Sequence, residues 1–106
     1  MFTAIREYRM TAGSVDDLMH KVDVGLADVF ADQEGFLGYE VIDAGDGRVV
    51  SITTFTDRSS AQMSSELATD FVREELGEFG LARTGHTTGE VMVSRAGSLM
   101  LEPVHH

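Results

Sequence analysis

Apolar residues recur along the chain with two different spacings, and the changes between them divide the sequence into elements. Residues 2–10 mix apolar and charged side chains in a way that predicts a strand. From Val15 to Phe30 the apolar residues lie three and four apart, the spacing of a helix with one buried face. Ser14 is the predicted N-cap of this helix, and Gly35 follows its end. The apolar stripe consists of Val15, Leu18, Met19, Val22, Leu26, Val29 and Phe30.

Two further strands are predicted over residues 36–43 and 48–56. The loop between them, residues 44–47, reads Ala-Gly-Asp-Gly and is rich in residues that tolerate positive φ, so the strands should form an antiparallel hairpin. Simple alternation predicts two apolar faces. One face would carry Leu37, Tyr39, Val41, Val50 and Ile52. The opposite face would carry Phe36, Ile42, Val49 and Phe55.

The second half of the chain predicts one more helix and one more strand. Asp57 is the expected N-cap of a helix that continues to about Leu76, where Gly77 ends it. Residues 78–87 are predicted to form a polar connector, and residues 88–95 a last strand. The buried face of the second helix is predicted to contain Ala61, Leu67, Ala68, Phe71, Val72 and Leu76.

The predicted order βαββαβ is that of ferredoxin-like α+β folds, in which two helices cover one face of an antiparallel sheet. The hairpin is apolar on both faces, so the face without helices needs another cover. The simplest cover is the same sheet of a second copy, related by a two-fold axis. The sequence therefore predicts a homodimer of the dimeric α+β barrel type. Residues 1–95 would form the protomer, and residues 96–106 a C-terminal arm or tail.

Composition narrows the classes of partner. Eight basic and eighteen acidic residues give a net charge of 8 − 18 = −10, which would repel nucleic acid. No apolar run approaches the roughly 18 residues of a membrane helix, and the first residues lack the pattern of a secretory signal. The expectation is a cytoplasmic protein without a membrane partner. The chain has no cysteine, which excludes thiolate nucleophiles and thiolate metal sites.

Polar candidates for a site are few. His86, in the predicted connector, could serve as an acid, a base or an iron ligand. The competing interpretation, an exposed loop histidine, is favoured because no pattern surrounds it. Arg6 and Glu40 stand inside predicted strands and are interpreted as partners for each other or across the dimer. No metal site is predicted, since the acidic loop at residues 43–47 lacks the remaining ligands of a calcium loop.

Aromatic residues supply the other candidates. Tyr8, Tyr39, Phe55 and Phe71 fall at core spacings of strands and a helix. They could line a pocket for an aromatic ligand between the helices and the sheet. Aromatic residues at such spacings are more often plain core, and that alternative stays open.

Several segments resemble one known family. They are Tyr-Arg at 8–9, Gly-Ser-Val-Asp-Asp-Leu at 13–18, Gly-Phe-Leu-Gly-Tyr at 35–39, and the hairpin from residue 41 to residue 52. Phe-Thr-Asp-Arg at 55–58, Phe-Val-Arg-Glu at 71–74 and Thr-Gly-Glu-Val at 88–91 extend the likeness. On these residues the chain resembles the antibiotic-biosynthesis-monooxygenase-like proteins of the dimeric α+β barrel superfamily.

The resemblance implies a function that the residues only partly match. Founders of the family oxidise polycyclic anthrones without metal or flavin, and their cousins open haem rings. Both activities are associated with a side-chain amide and a tryptophan, but this chain contains no Asn and no Trp. Its second helix offers Ser64, Ser65 and Phe71 instead.

The resemblance therefore implies a dimer that binds a small aromatic or hydrophobic metabolite, monooxygenase-like and without a cofactor. The expected pocket residues are Tyr8, Tyr39, Phe55, Ser64 and Phe71. A non-catalytic structural or binding dimer is the alternative, and a haem-handling protein that uses His86 is a further one.

Overall fold

The structure, a computed structural model, describes residues 1–97. Its elements follow the predicted order βαββαβ. The expected arm over residues 96–106 lies almost entirely outside the described residues, so that assignment stays a prediction. The four strands are β1 (Phe2–Arg9), β2 (Phe36–Gly45), β3 (Arg48–Phe55) and β4 (Ala82–Glu90). The helices are α1 (Val15–Lys21), a π-helical turn (Val22–Leu26), α2 (Ala27–Ala31), α3 (Arg58–Glu75) and a 3₁₀ turn (Gly77–Phe79).

The four strands form one antiparallel sheet in the order β2-β3-β1-β4. Buried residues on β1 alternate with exposed ones, because the helices cover a single face of the sheet. This arrangement is the ferredoxin-like α+β fold that the sequence predicts. The core between sheet and helices includes Tyr8, Leu18, Val22, Leu26, Phe30, Val49, Ala68, Leu76 and Phe79. Among residues 1–97, no helix is long and apolar enough to cross a membrane.

The predicted faces of the β2–β3 hairpin are wrong for β3 and for Phe36, which a register shift between Phe36 and Gly38 places on the helix-covered face opposite Phe55. The turn is as expected, with positive φ at Asp46 and Gly47. A bulge between Asp43 and Gly45, however, shifts the register by one residue and turns every following side chain over. Tyr39 and Val41 therefore share the helix-covered face with Val49, Ser51, Thr53 and Phe55. Ile42, Val50 and Ile52 lie on the open face, away from the helices.

The last strand also differs from the prediction. β4 begins at Ala82, inside the predicted connector, and ends at Glu90. Its limits are those of its partner, because β4 pairs with β1 along the whole length of β1 and finds no further backbone beyond Phe2. Val91 adds one last bond, from its N–H to the carbonyl of Met1. Pairing with β1 outweighs the weak strand propensity of the Gly- and Thr-rich sequence.

The first helix is continuous but not uniform. The π-helical turn lies at its centre and includes Gly25, against which the ring of Phe71 from α3 packs. A Cβ atom at Gly25 would lie 2.6 Å from Cζ of Phe71, so any side chain there would displace the Phe71 ring. Close approach of the two helices thus depends on this glycine. Both predicted N-caps are present: Ser14 accepts a bond from the N–H of Asp17, and Asp57 accepts one from Ser60.

Candidate functional site

A small cavity lies between the helices and the sheet. Its volume is about 30 Å³, room for about two water molecules at ~10–15 Å³ each. Most of its wall is aliphatic, and its polar groups are the side chains of Tyr8, Tyr39 and Ser51. The aliphatic wall consists of Leu18, Val22, Leu26, Val41, Val49, Val72, Leu76 and Leu81.

Behind Ser51 lies the guanidinium of Arg6, which is fully buried. Arg6 projects from β1 toward the helices because it alternates with Ile5 and Glu7, which face the open side. Nη2 donates to Oγ of Ser51 at 2.9 Å. Nη1 lies within bonding distance of three more hydroxyl oxygens, those of Thr53 at 3.2 Å, Ser64 at 3.2 Å and Ser65 at 3.1 Å.

The positive charge of Arg6 has no carboxylate partner in residues 1–97. The ion pairs of that segment all lie on the surface and involve Lys21 and Arg73. Nε of Arg6 has no hydrogen-bond partner, and the ring of Phe30 lies 5.4 Å from the guanidinium carbon. Burial lowers the pKa of Arg6 below its usual range, but an arginine in a protein stays protonated. Burying a charge without a counterion costs several kcal/mol.

Tyr39 stands beside this charge as a hydrogen-bond donor. Burial raises the pKa of Tyr39 to about 12, although a hydrogen bond with Ser51 and the charge of Arg6 act in the opposite direction. The hydroxyl is therefore neutral at physiological pH and does not supply the missing negative charge. Its ring packs edge-on against Phe30, with the centroids 4.7 Å apart.

A second arginine approaches from β4. Nη2 of Arg83 donates to the hydroxyl of Tyr8 at 3.0 Å, and its guanidinium carbon lies 5.4 Å from the centre of the Tyr8 ring. The charge of Arg83 contributes to the lowered pKa of Arg6. The polar end of the cavity is thus electropositive, because the hydroxyls of Tyr8 and Tyr39 are backed by two cations.

His86 is exposed, as its favoured interpretation expects, but it does not lie in a loop. It belongs to β4 and pairs with Arg6 across the sheet. Nε2 lies 3.0 Å from Oγ of Ser65. Ser65 also accepts from Arg6, so its own proton points to His86 when that nitrogen is unprotonated. Arg6 stands between this pair and Ser51 at the cavity wall, and a guanidinium does not relay protons.

The structure brings together only part of the predicted pocket. Tyr8 and Tyr39 line the same cavity. Ser64 lies deeper, bonded to Arg6 and to Thr53. Phe55 is fully buried elsewhere, against Phe36, and Phe71 packs on Gly25 outside the cavity wall.

Sequence patterns do not single out Ser51 and Thr53, and they identify Arg6 and Ser65 without their contact with each other. The proposed pairing of Arg6 with Glu40 is wrong, because Glu40 pairs with Ile52 on the open face whereas Arg6 faces the helices. A signal was present in the sequence, since Ala4, Arg6 and Tyr8 alternate on one face of β1. The inward direction of Ser51 and Thr53 could be identified only from the register of the hairpin.

The described residues around the cavity do not offer ligands for a metal ion. Over residues 1–97, no group of three His, Asp or Glu side chains is placed to hold one. The nearest histidine, His86, directs Nε2 at Ser65.

Comparison with known proteins places the chain in a family. Residues 1–74 match the family described as Antibiotic biosynthesis monooxygenase. None of the curated proteins matches the chain.

Solved structures share the fold at low identity. SnoaB, a cofactor-independent oxygenase from Streptomyces nogalater, is 17% identical, with a TM-score of 0.64 over 88% of this chain and 94% of that one. A mutant of MhuD with two manganese protoporphyrin IX bound per active site is also 17% identical, with a TM-score of 0.66 over 92% and 100%. A dimeric ferredoxin-like protein from an uncultured marine organism is 13% identical, with a TM-score of 0.67 over 92% and 100%.

Proposed function

Because the chain belongs to the antibiotic biosynthesis monooxygenase family, we propose that it binds a small aromatic or hydrophobic metabolite between its helices and its sheet. One observation carries the proposal: Tyr8, Tyr39 and Ser51 line a cavity whose remaining wall is aliphatic. Ligand sites in proteins combine an apolar wall with a few convergent polar groups in this way. A protein of similar fold, the MhuD mutant, binds two manganese protoporphyrin IX per active site, which supports ligand binding by this fold.

Binding requires the cavity to widen. Typical ligand pockets hold roughly 300–1,000 Å³, whereas this cavity measures about 30 Å³. Val72 on α3 and Leu81 before β4 are only half-buried, so their side chains can move outward while the buried core stays packed. The ligand would then occupy the space that they leave.

The same proposal includes a homodimer that covers the open face of the sheet. Ile5 and Ile42 on this face are 36% and 46% exposed. Val50 and Ile52 lie between them, with Ile52 directly opposite Ile5. Such an apolar centre on a sheet face normally marks an interface, and a relative with this fold is a dimeric ferredoxin-like protein.

A cavity-filling substitution tests the ligand proposal. We expect 2-naphthoate or 2-naphthalenemethanol to bind saturably and to shift the methyl NMR signals of Val22, Val72 and Leu76. Val72→Phe should weaken that binding at least about tenfold, because the added ring occupies the cavity. Val29→Phe, at a half-buried position away from the cavity, should not weaken it. Binding that Val72→Phe leaves unchanged would contradict the proposal.

Cofactor-independent oxygenation is the second candidate function, and the electropositive end of the cavity favours it. A methylene group next to a carbonyl loses a proton, and the resulting enolate transfers electrons to molecular oxygen. Insertion of one oxygen atom leaves a new carbonyl, and the other oxygen atom departs as water. Tyr39 or Ser51 could donate to the enolate oxygen, with Arg6 behind Ser51. His86 cannot take the carbon proton directly, since Arg6 and Ser65 separate it from the cavity.

Because His86 cannot take the carbon proton, we nevertheless expect negligible oxygen uptake with an anthrone, and we expect no loss of haem absorbance in the presence of a reductant. The residues at this site offer hydroxyls, which position a ring less precisely than the absent amide and indole groups, and a displacement of about 1 Å can cost two orders of magnitude in rate. Oxygen electrode traces and visible spectra at stoichiometric protein provide the measurement. Rapid turnover that falls in Arg6→Met would establish the oxygenase function instead.

A further inference from the structure

We propose that the polar end of the cavity is an anion site, and that the ligand presents an ionised oxygen to Ser51 and Tyr39 in front of Arg6. The inference rests on the proposed function and specifies the chemical class of the ligand. A carboxylate and a phenolate or enolate share the required chemistry, which is one oxygen with a full negative charge.

The uncompensated charge of Arg6 is the first support. Its guanidinium is fully buried, and its hydrogen-bond partners among residues 1–97 are neutral hydroxyls. Buried charges in folded proteins are ordinarily paired. The hydroxyls do not need Arg6, because Thr53 and Ser64 bond each other at 2.7 Å and Ser65 has His86 as a partner. Because the fold without a ligand does not need this cation, the role that explains Arg6 best is the binding of an anionic ligand.

The direction of the hydroxyl protons is the second support. Ser51 accepts from Nη2 of Arg6 and lines the cavity together with Tyr39, to which it is hydrogen-bonded. The bond between the two hydroxyls uses one of their two protons. The other proton remains for a ligand oxygen, and the charge of Arg6 lies one hydrogen bond behind Ser51. No carboxylate lines the cavity, and none pairs with Arg6 among residues 1–97. A ligand anion would therefore meet no repelling charge from these residues.

The net charge of the protein allows a local anion site to be distinguished from non-specific binding of anions. The net charge of −10 disfavours anions at a random surface position. A preference for an anionic ligand over its neutral analogue must therefore arise locally. The test is a series of ligands with one shape and different charges.

Calorimetric titration of the full-length protein at neutral pH compares 2-naphthoate, neutral 2-naphthalenemethanol and cationic 2-naphthylmethylamine. We expect 2-naphthoate to bind at least about tenfold more tightly than the alcohol, equivalent to ~1.4 kcal/mol, and the amine to bind most weakly. A fourth probe, 2-naphthol, separates the two sources of the anion. The absorbance of naphtholate on the protein at neutral pH would identify a phenolate or enolate site, and its absence beside naphthoate binding would identify a carboxylate site.

Variants assign the preference to Arg6. Arg6→Met should reduce 2-naphthoate affinity at least tenfold and leave the alcohol within about twofold, with a Tm equal to or above that of the wild type. A purely structural arginine would instead lower the Tm. If Arg6→Met does not fold, Ser51→Ala decides, because it removes the hydroxyl at the wall and keeps the cation. We expect Ser51→Ala to weaken naphthoate selectively, and Thr54→Ala, a matched hydroxyl on the open face of β3, to have no effect.

Different results would overturn the anion site and the ligand-binding function. Equal affinity of the wild type for naphthoate and the alcohol would overturn the anion site and leave the ligand-binding function standing. Naphthoate selectivity that survives both Arg6→Met and Ser51→Ala would also overturn it. Failure of all four compounds to bind at millimolar concentration would overturn the proposed function itself.

Discussion

Asp in place of Ile52 is expected to convert the proposed dimer into a monomer or to prevent folding. Ile52 lies at the centre of the open face, opposite Ile5 and beside Glu40 in the neighbouring strand. In a two-fold interface the substitution introduces a carboxylate from each copy, and burial of an unpaired charge costs several kcal/mol. Sedimentation velocity at micromolar concentration, together with thermal unfolding at the same concentration, measures both effects.

Met63→Asp is the matched control for this prediction. Met63 is a similarly large apolar residue, 52% exposed, but it lies on α3 in the helix layer. Its replacement should leave the association state unchanged. If Ile52→Asp sediments as the wild-type dimer with an unaltered Tm, the open face is not the interface. A wild-type protein that is a stable monomer at this concentration would lead to the same conclusion.

Phe30→Ala is expected to lower the free energy of unfolding by about 3–5 kcal/mol. The ring is fully buried at the end of the first helix. It packs edge-on against Tyr39 and lies below the guanidinium of Arg6. Truncation removes the transfer free energy of the ring, leaves a void next to the site, and takes away the aromatic face from a buried cation. Urea unfolding at fixed protein concentration gives the value, which is a large part of the roughly 5–15 kcal/mol of a typical domain.

Phe2→Ala is a suitable comparison. Phe2 is half-buried at the first position of β1, and its ring lies 4.9 Å from the guanidinium carbon of Arg58, an exposed residue. Because less of the ring is buried and the cation remains in water, the loss should be well below half of that for Phe30→Ala. Similar losses in the two variants would show that Phe30 has no special place beside Arg6.

The chain belongs to the family, but the polar groups at its cavity are not the amide and indole groups that the resemblance implies. The fold matches proteins that include a cofactor-independent oxygenase and a protein with bound porphyrins, yet this chain has no Asn and no Trp. At the cavity it has tyrosine and serine hydroxyls backed by a buried arginine. Such groups can hold an anion, whereas a general base at the cavity wall is not among the described residues. Ligand capture is therefore the function that these residues support best.

The sequence by itself determined the elements and their order. The first helix, the hairpin turn and the second helix follow from local signals. These are a three-and-four spacing, a loop of residues that tolerate positive φ, as Asp46 and Gly47 indeed have, and the caps at Ser14 and Asp57. Such signals depend on residues a few positions apart, so they can be found without knowledge of the rest of the chain. Tyr8 and Tyr39 could be placed at a common pocket for the same reason, because strand alternation directs them inward.

Only the tertiary structure decided the register, the limits of β4 and the surroundings of Arg6. One bulge before Gly45 exchanged the faces of β3, and β4 took its limits from β1 rather than from its own residues. The hydroxyls around Arg6 come from positions 45, 47, 58 and 59 residues away. Arg6 therefore looks like an ordinary charged strand residue until the sheet is paired and α3 is packed upon it. Its burial depends on contacts between distant segments, and local spacing carries no information about those contacts.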